Sequence, residues 1–230
     1  MTWTELLTFL QSTTDAEEVN ERREEIAEWL PCVREMFEYD QNNNYHQYDW
    51  WLHSFHTFLG IDKQIEDSML YLAALLHDAG KPACRCKGRR EDDIWSHYYG
   101  HPEVSEQIVR EKVIPHLESK GVKLTPEEKH RLLYYVKYHD DWVSLKVKHL
   151  KRHLKIVDVD TFKKLMALEV ADAKAHVIFP LIQQRIDICS AWMNGLADDK
   201  IKEIDSKVKI IMIVFSEDEN YKKFLYSKGI

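Results

Sequence analysis

The sequence predicts an all-α protein, and three observations carry that expectation. Turn formers are scarce: Gly 7 and Pro 6 in 230 residues are roughly half the usual share of about 12%, too few for a turn-dense β fold. Charged residues reach 31% and hydrophobic ones 44%, with 11% aromatic, a mix that suits amphipathic helices around a sizeable core. The apolar residues recur at three- and four-residue spacings, with capping residues at the starts of the runs.

Taken in order, Thr14 and Asp15 precede Ala16, Val19, Ile26, Trp29 and Leu30 among Glu and Arg, which predicts one capped helix ending before Pro31. An Asn-rich turn over residues 40–44 leads into a helix over 49–59, where Trp50, Trp51, Phe55, Phe58 and Leu59 share a face and Gly60 stops the run. Residues 69–79 are almost continuously apolar, too long for a typical strand, and Gly80 and Pro82 supply stop signals for a central helix. Residues 81–95 are polar and lack a hydrophobic period, so they read as a surface loop. Pro102 opens the next helix, and Thr125, Pro126 and Glu128 form a capping box for another through Leu132, Leu133 and Val136. Asp160 is the expected cap of a helix carrying Phe162, Leu165, Met166 and Val170, whose continuation should break at Pro180. Residues 208–215 fit a buried helix or a strand equally well.

A formal net charge of -7 argues against a surface that coats nucleic acid or an anionic membrane. No apolar run approaches the 18 or so residues that a membrane span needs. Cys32, Cys84, Cys86 and Cys189 are too few for a disulfide scaffold, and no leader-like N-terminus precedes them, so the cytoplasm is the expected compartment. Cys84 and Cys86 lack the second pair that a thiolate metal site needs.

The chemistry-bearing residues are His53, the adjacent His77 and Asp78, His101, His139 and Asp172, which fall at or near the ends of separate expected helices. His77 and Asp78 close an apolar helix, where an unpaired carboxylate is costly, so a cation is expected beside them. Imidazoles mixed with carboxylates suit divalent transition metals (Mn, Fe, Ni, Co or Zn) better than Mg, which prefers oxygen alone. Four His and two Asp exceed one tetrahedral site and fit two ions sharing a carboxylate. The chain holds 12 His, so most, His46, His56, His97, His116, His130, His149, His153 and His176 among them, are expected to be bystanders or supporting groups.

At these residues the sequence resembles the HD superfamily of metal-dependent phosphohydrolases, whose pattern of His, His-Asp and a late Asp is met by His53, His77-Asp78 and Asp172 in the phrases LHSFH, LAALLHDAGKP and LEVADAKAH. QNNNYHQYDWWLH, YYGHPEVSEQIV, YYVKYHDDW and KHLKRHL further resemble the HD domain attached to bacterial CCA-adding tRNA nucleotidyltransferases, over about residues 41–176. The resemblance implies an HD-domain-like helical bundle: a metal-binding core at 41–176, an N-terminal helical extension at 1–40 and a helical or mixed extension at 177–230 in the same globular unit. It also implies one or two ions: with two, Asp78 bridges them, His53, His77 and Asp172 complete one site and His101 and His139 hold the second, and with one, His101 and His139 orient substrate or water. His97 competes with His101 for that place, and the phrase GHPEVS favours His101.

The implied activity is hydrolysis of a nucleotide or small phosphate ester, 2',3'-cyclic phosphates included, by metal-activated water, with Lys81 of the HDAGK phrase and Arg152 as phosphate contacts. Lys81 also fits a solvent-facing lysine near a helix C-terminus, and Arg152, with Lys146, Lys148, Lys151 and Lys155, a solvated helix face. Arg89 and Arg90 are weaker candidates. The chain lacks the Gly-Ser or Gly-Gly loop and paired-Asp motif of the nucleotidyltransferase head, so nucleotide addition is not expected. Leu52 and Ser54 beside the first His, and the Cys-containing loop after Pro82, depart from the relatives and bear on the substrate. Two alternatives stay open: a di-iron HD-type oxygenase, and a non-catalytic metal-stabilised module binding RNA or protein through residues 146–155. The sequence does not fix the oligomeric state.

Overall fold

The computed structural model describes residues 1–88, 93–141 and 147–195, and Arg89, Arg90, Lys146 and residues 208–215 lie outside them. The described chain is all-α apart from one two-stranded ribbon. At its centre is α5 (Ser68–Leu76), buried at every position from Met69 to Leu76. Asp67 caps it by accepting from Met69 N at 3.1 Å, and at roughly 1.5–3 kcal/mol per large apolar side chain buried this helix anchors the bundle. It packs against α1 (Trp3–Ser12), α4 (Trp50–Leu59), α9 (Pro126–Tyr138) and α11 (Val159–Lys174), while α12 (Pro180–Gly195) lies along α11. One hydrophobic cluster runs from Leu6 in α1 to Trp192 in α12. No helix among the described residues is long and apolar enough to cross a membrane.

Several helix ends follow the capping signals. Asp49 accepts from Leu52 N at 2.7 Å to start α4, which stops at Gly60. After the short helix α8 (Ile114–Ser119), the reciprocal box of Thr125 and Glu128 starts α9. Elsewhere the structure differs from expectation. The stretch read as one helix before Pro31 is two, α2 (Ala16–Glu21) and α3 (Arg23–Trp29), meeting at Arg22, whose guanidinium lies 4.9 Å over the Phe9 ring. Asp158 rather than Asp160 caps α11, accepting from Thr161 N at 2.7 Å, and Asp160 falls in the first turn, where the helix dipole favours a carboxylate.

The central helix is also shorter than expected, and the loop after it is more ordered. After Leu76 the chain turns through His77–Gly80, and Pro82 then sits in the first turn of a short helix, α6 (Lys81–Cys84), where its missing N–H costs nothing. Lys81 is therefore buried, at 4% exposure, rather than part of a surface loop. Strands β1 (Cys86–Lys87) and β2 (Ser96–His97) pair antiparallel, with Cys86 opposite His97 and Lys87 opposite Ser96.

Gly80 fixes how the next helix meets this turn. A Cβ there would lie 2.6 Å from both His101 O and Ser105 N, so only glycine admits the first turn of α7 (His101–Ile108) against the backbone. Gly80 N donates to Ser105 Oγ at 2.8 Å, and Gly100, at φ +76°, is the left-handed residue that turns the chain into α7. We expect Gly80→Ala to push α7 away, costing about 1–3 kcal/mol of stability as an overpacked contact and lowering metal occupancy. Denaturant unfolding and metal analysis of the variant check this; wild-type values in both would refute it.

Candidate metal centre

Five helices bring the chemistry together. His53 projects from the middle of α4, and His77 and Asp78 follow α5. His101 is the first residue of α7, His139 caps α9, and Asp172 lies in the last turns of α11. All but His101 are nearly inaccessible to solvent.

Asp78 stands between two sets of imidazoles. Its Oδ2 lies 3.2 Å from His77 Nε2 and 3.5 Å from His53 Nε2, whereas its Oδ1 lies 3.1 Å from His101 Nε2 and 3.6 Å from His139 Nε2. Asp172 Oδ1 closes the first set, 3.0 Å from His53 Nε2 and 3.5 Å from His77 Nε2. The ligand atoms of His53, His77 and Asp172 lie within 4.8 Å of one another, as do those of His77, Asp78 and His139.

The backbone determines which nitrogens face inward. His77, His101 and His139 each point Nδ1 at the carbonyl three residues earlier, Ala74 at 2.7 Å, Tyr98 at 2.8 Å and Val136 at 2.7 Å. A carbonyl can only accept, so Nδ1 carries the hydrogen and each ring aims Nε2 at the cluster, as a lone pair whenever the ring is neutral. His101 Nε2 and His139 Nε2 then face each other at 3.1 Å with Asp78 Oδ1 beside them. Converging lone pairs and carboxylate oxygens repel unless a cation lies among them. This buried His/Asp cluster can bind a metal ion.

Searches against family models, curated proteins and solved structures return no match to the chain. The reading of the site therefore rests on its own geometry.

Protonation follows from the same packing. Burial lowers His53 to about 4 and also lowers His139. Burial alone would lower His77 too, but Asp78 and Asp172 outweigh it and lift the ring to about 10. Burial would raise both carboxyls, yet Asp78, held by His77 and Lys81, and Asp172, held by His176, His53 and His77, stay well below the usual carboxylate range. Without metal, the proton on His77 Nε2 is the cation of this set, and an incoming ion must displace it. Metal binding near pH 8 should accordingly release about one proton, and affinity should rise by up to about tenfold per pH unit until pH approaches 10. Titration calorimetry in buffers of different ionisation enthalpy measures this; binding without proton release would show that His77 carries no second proton in the metal-free protein.

The cavity over the cluster has a volume of about 320 Å³ and holds residues the sequence left among the bystanders or did not single out. His46 and His176, joined by an isolated backbone bridge, stand with His53 in a third close group. Arg185 of α12 donates to Asp140 Oδ1 at 2.9 Å and to the His139 carbonyl, and lies 3.3 Å from Glu169 Oε2 and 3.6 Å from Asp172 Oδ2. Lys81 Nζ reaches Asp78 Oδ2 at 2.5 Å and Gln41 Oε1 at 2.7 Å, so it faces the site rather than solvent.

Other candidates lie elsewhere. His97 lines the cavity, but its nitrogens are engaged by Asp93 Oδ2 at 2.8 Å and the Tyr99 hydroxyl at 3.2 Å, and His101 is the one beside Asp78. Arg152, on α10 (Val147–His153), pairs with Asp141 and does not line the cavity. Cys84 and Cys86 are free thiols, outside every group with metal-ligand spacing among the described residues.

Proposed function

We propose that this chain is a metal-dependent phosphohydrolase or phosphodiesterase of the HD superfamily, acting on a nucleotide or small phosphate ester. The observation that carries the reading is Asp78, whose two oxygens face separate sets of inward-aimed imidazoles. His53, His77, Asp78 and Asp172 would hold one divalent transition ion, and Asp78, His101 and His139 a second. Such ions supply Lewis acidity at phosphoryl oxygens and a water acidic enough to attack phosphorus near neutral pH.

The chain's own residues favour an anion above the cluster. Three carboxylates, Asp78, Asp140 and Asp172, and two cations, Lys81 and Arg185, line the cavity, so it carries one excess negative charge that a single divalent ion reverses. Arg185 keeps Asp172 and the His139 carbonyl in place, and Lys81, already inside the cavity, is positioned to meet a phosphoryl oxygen once an ion takes over part of the Asp78 charge.

A screen of phosphate monoesters, linear diesters and 2',3'-cyclic phosphates against Mn, Fe, Co, Ni, Zn and Mg tests the reading. Turnover with a transition ion, abolished by a chelator and restored by the metal, is the expected result. A fully loaded protein that hydrolyses none of these esters would overturn it, and oxygen consumption by the iron form would move the assignment to a di-iron oxygenase.

A further inference from the structure

Among the described residues, exposed large hydrophobic side chains occur at the cavity and in segments that adjoin its lining residues in sequence. They are Tyr45, Ile94, Trp95, Tyr99, Val177 and Ile178. Tyr45 and Tyr99 line the cavity itself. Ile94 and Trp95 lead into β2, which ends at the lining residue His97, and Val177 follows the lining residue His176 and donates its N–H to Tyr45 O at 2.9 Å. Exposed apolar residues scattered singly are ordinary; gathered round a polar cavity they mark a ligand contact.

These rims are ordered. The Tyr99 ring stacks on His97, with centroids 5.4 Å apart and planes 13° from parallel, and the Tyr45 ring stacks on Phe179 at 4.9 Å and 26°. His97 is itself held by Asp93, and the loop of Tyr45 is tied to the α11–α12 connection by the His46–His176 bridge. Rings fixed in advance lose little freedom when a flat ligand lands on them.

We propose that Tyr45 and Tyr99 form a base-stacking subsite at the mouth of the metal cavity, which selects phosphate esters bearing a nucleobase over those bearing sugar alone. The inference rests on the phosphohydrolase reading and narrows its substrate class to nucleoside phosphates. A floor that turns cationic with metal and a rim of flat aromatic rings match an anionic phosphate joined to a planar base. The volume of about 320 Å³ lies at the small-molecule end of ligand sites. An apolar protein segment would match the rim and leave the charged floor without a counterpart.

The test compares two ligands on the metal-loaded protein: an adenosine 5'-phosphonate and the corresponding ribose 5-phosphonate, each with CH2 in place of the ester oxygen so that neither turns over. Wild type should bind the adenosine compound at least about fivefold more tightly, the lower end of what stacking of one base contributes. That ratio should fall towards one in Tyr99→Ala, fall further when Tyr45→Ala is added, and persist in Tyr99→Phe, which keeps the ring. Equal binding of the two ligands by wild type, or a ratio that survives both alanine substitutions, would overturn the subsite. Turnover of simple phosphate esters, measured alongside, separates the two ideas: hydrolysis without base preference refutes the subsite alone, and base preference without hydrolysis of any ester refutes the phosphohydrolase reading alone.

Discussion

Asp78→Asn is expected to lose metal and turnover together. The amide keeps the size of the side chain and removes the charge that both sets of imidazoles face, through Oδ2 towards His53 and His77 and through Oδ1 towards His101 and His139. A neutral amide offers one oxygen, and its NH2 group would point a donor at ring nitrogens already arranged to bind a cation. Occupancy should drop by an order of magnitude or more, and hydrolysis by roughly 3 kcal/mol or more of transition-state stabilisation, about a hundredfold. The metal-free variant should also be less stable, because Lys81 Nζ loses a buried carboxylate 2.5 Å away. An amide oxygen can still accept from it, which limits that loss to about 1.5–3 kcal/mol. Elemental analysis, steady-state kinetics and urea unfolding measure the three effects. Full metal content and full turnover in the variant would remove Asp78 from the site and end the mechanism.

The parts of this structure legible in the sequence are those set by short-range physics. Asp49, Thr125 with Glu128, and Gly60 act on backbone groups within one turn of themselves, so their capping roles can be read from order alone. Thr2 and Glu5 carried the same capping signal for α1, which the sequence reading passed over. His77 and Asp78 were legible because a carboxylate closing an apolar helix demands a partner, and His53, His101, His139 and Asp172 because their order and flanking phrases resemble the HD pattern. What failed depends on distant partners. The ribbon of Cys86–Lys87 with Ser96–His97 has two residues a side and no periodicity to display. Lys81 was left between a phosphate contact and a solvent-facing lysine because nothing nearby in sequence reveals that Gln41 and His46 close over it. His46 and His176 are 130 positions apart and meet only through an isolated bridge, so neither differs locally from histidines outside the cluster such as His116 or His130.

Arg185 is a different kind of omission, since its signal was present. It falls within the spacing of Ile182, Ile186 and Cys189, the buried face of α12, and an arginine on an apolar stripe requires buried acceptors. The resemblance to HD domains ended near His176, and the helix beyond was left without a role. Its sequence nonetheless announced a charge that had to be satisfied, and the structure supplies Asp140, Glu169, Asp172 and the His139 carbonyl.

Removing that guanidinium should therefore give the largest stability loss of any change considered for this chain. Arg185→Met keeps much of the length and fits the apolar stripe, but it leaves Asp172 and Glu169 buried without their cation. Breaking a buried pair from one side costs about 3–5 kcal/mol, which for a domain of this size lowers the melting temperature by on the order of 10 °C. The loss should depend on pH through Glu169, whose carboxyl burial pushes up to about 8 although Arg185 opposes it. The folded protein holds that proton above the pH at which the unfolded chain releases it, so ionising Glu169 costs stability as pH rises from about 4.5 towards 8. At pH 6 the group is neutral in both proteins, and the substitution exposes chiefly Asp172 and Asp140. At pH 9 the wild-type carboxylate still has its guanidinium, and the variant's does not, so the difference in stability should widen. Adding Glu169→Gln should remove that widening without restoring Asp172. Denaturant unfolding of wild type and the two variants at the two pH values distinguishes these contributions. A gap that stays constant with pH would mean that Glu169 is not the group Arg185 compensates, and a variant as stable as wild type would show that α12 docks on the site without it.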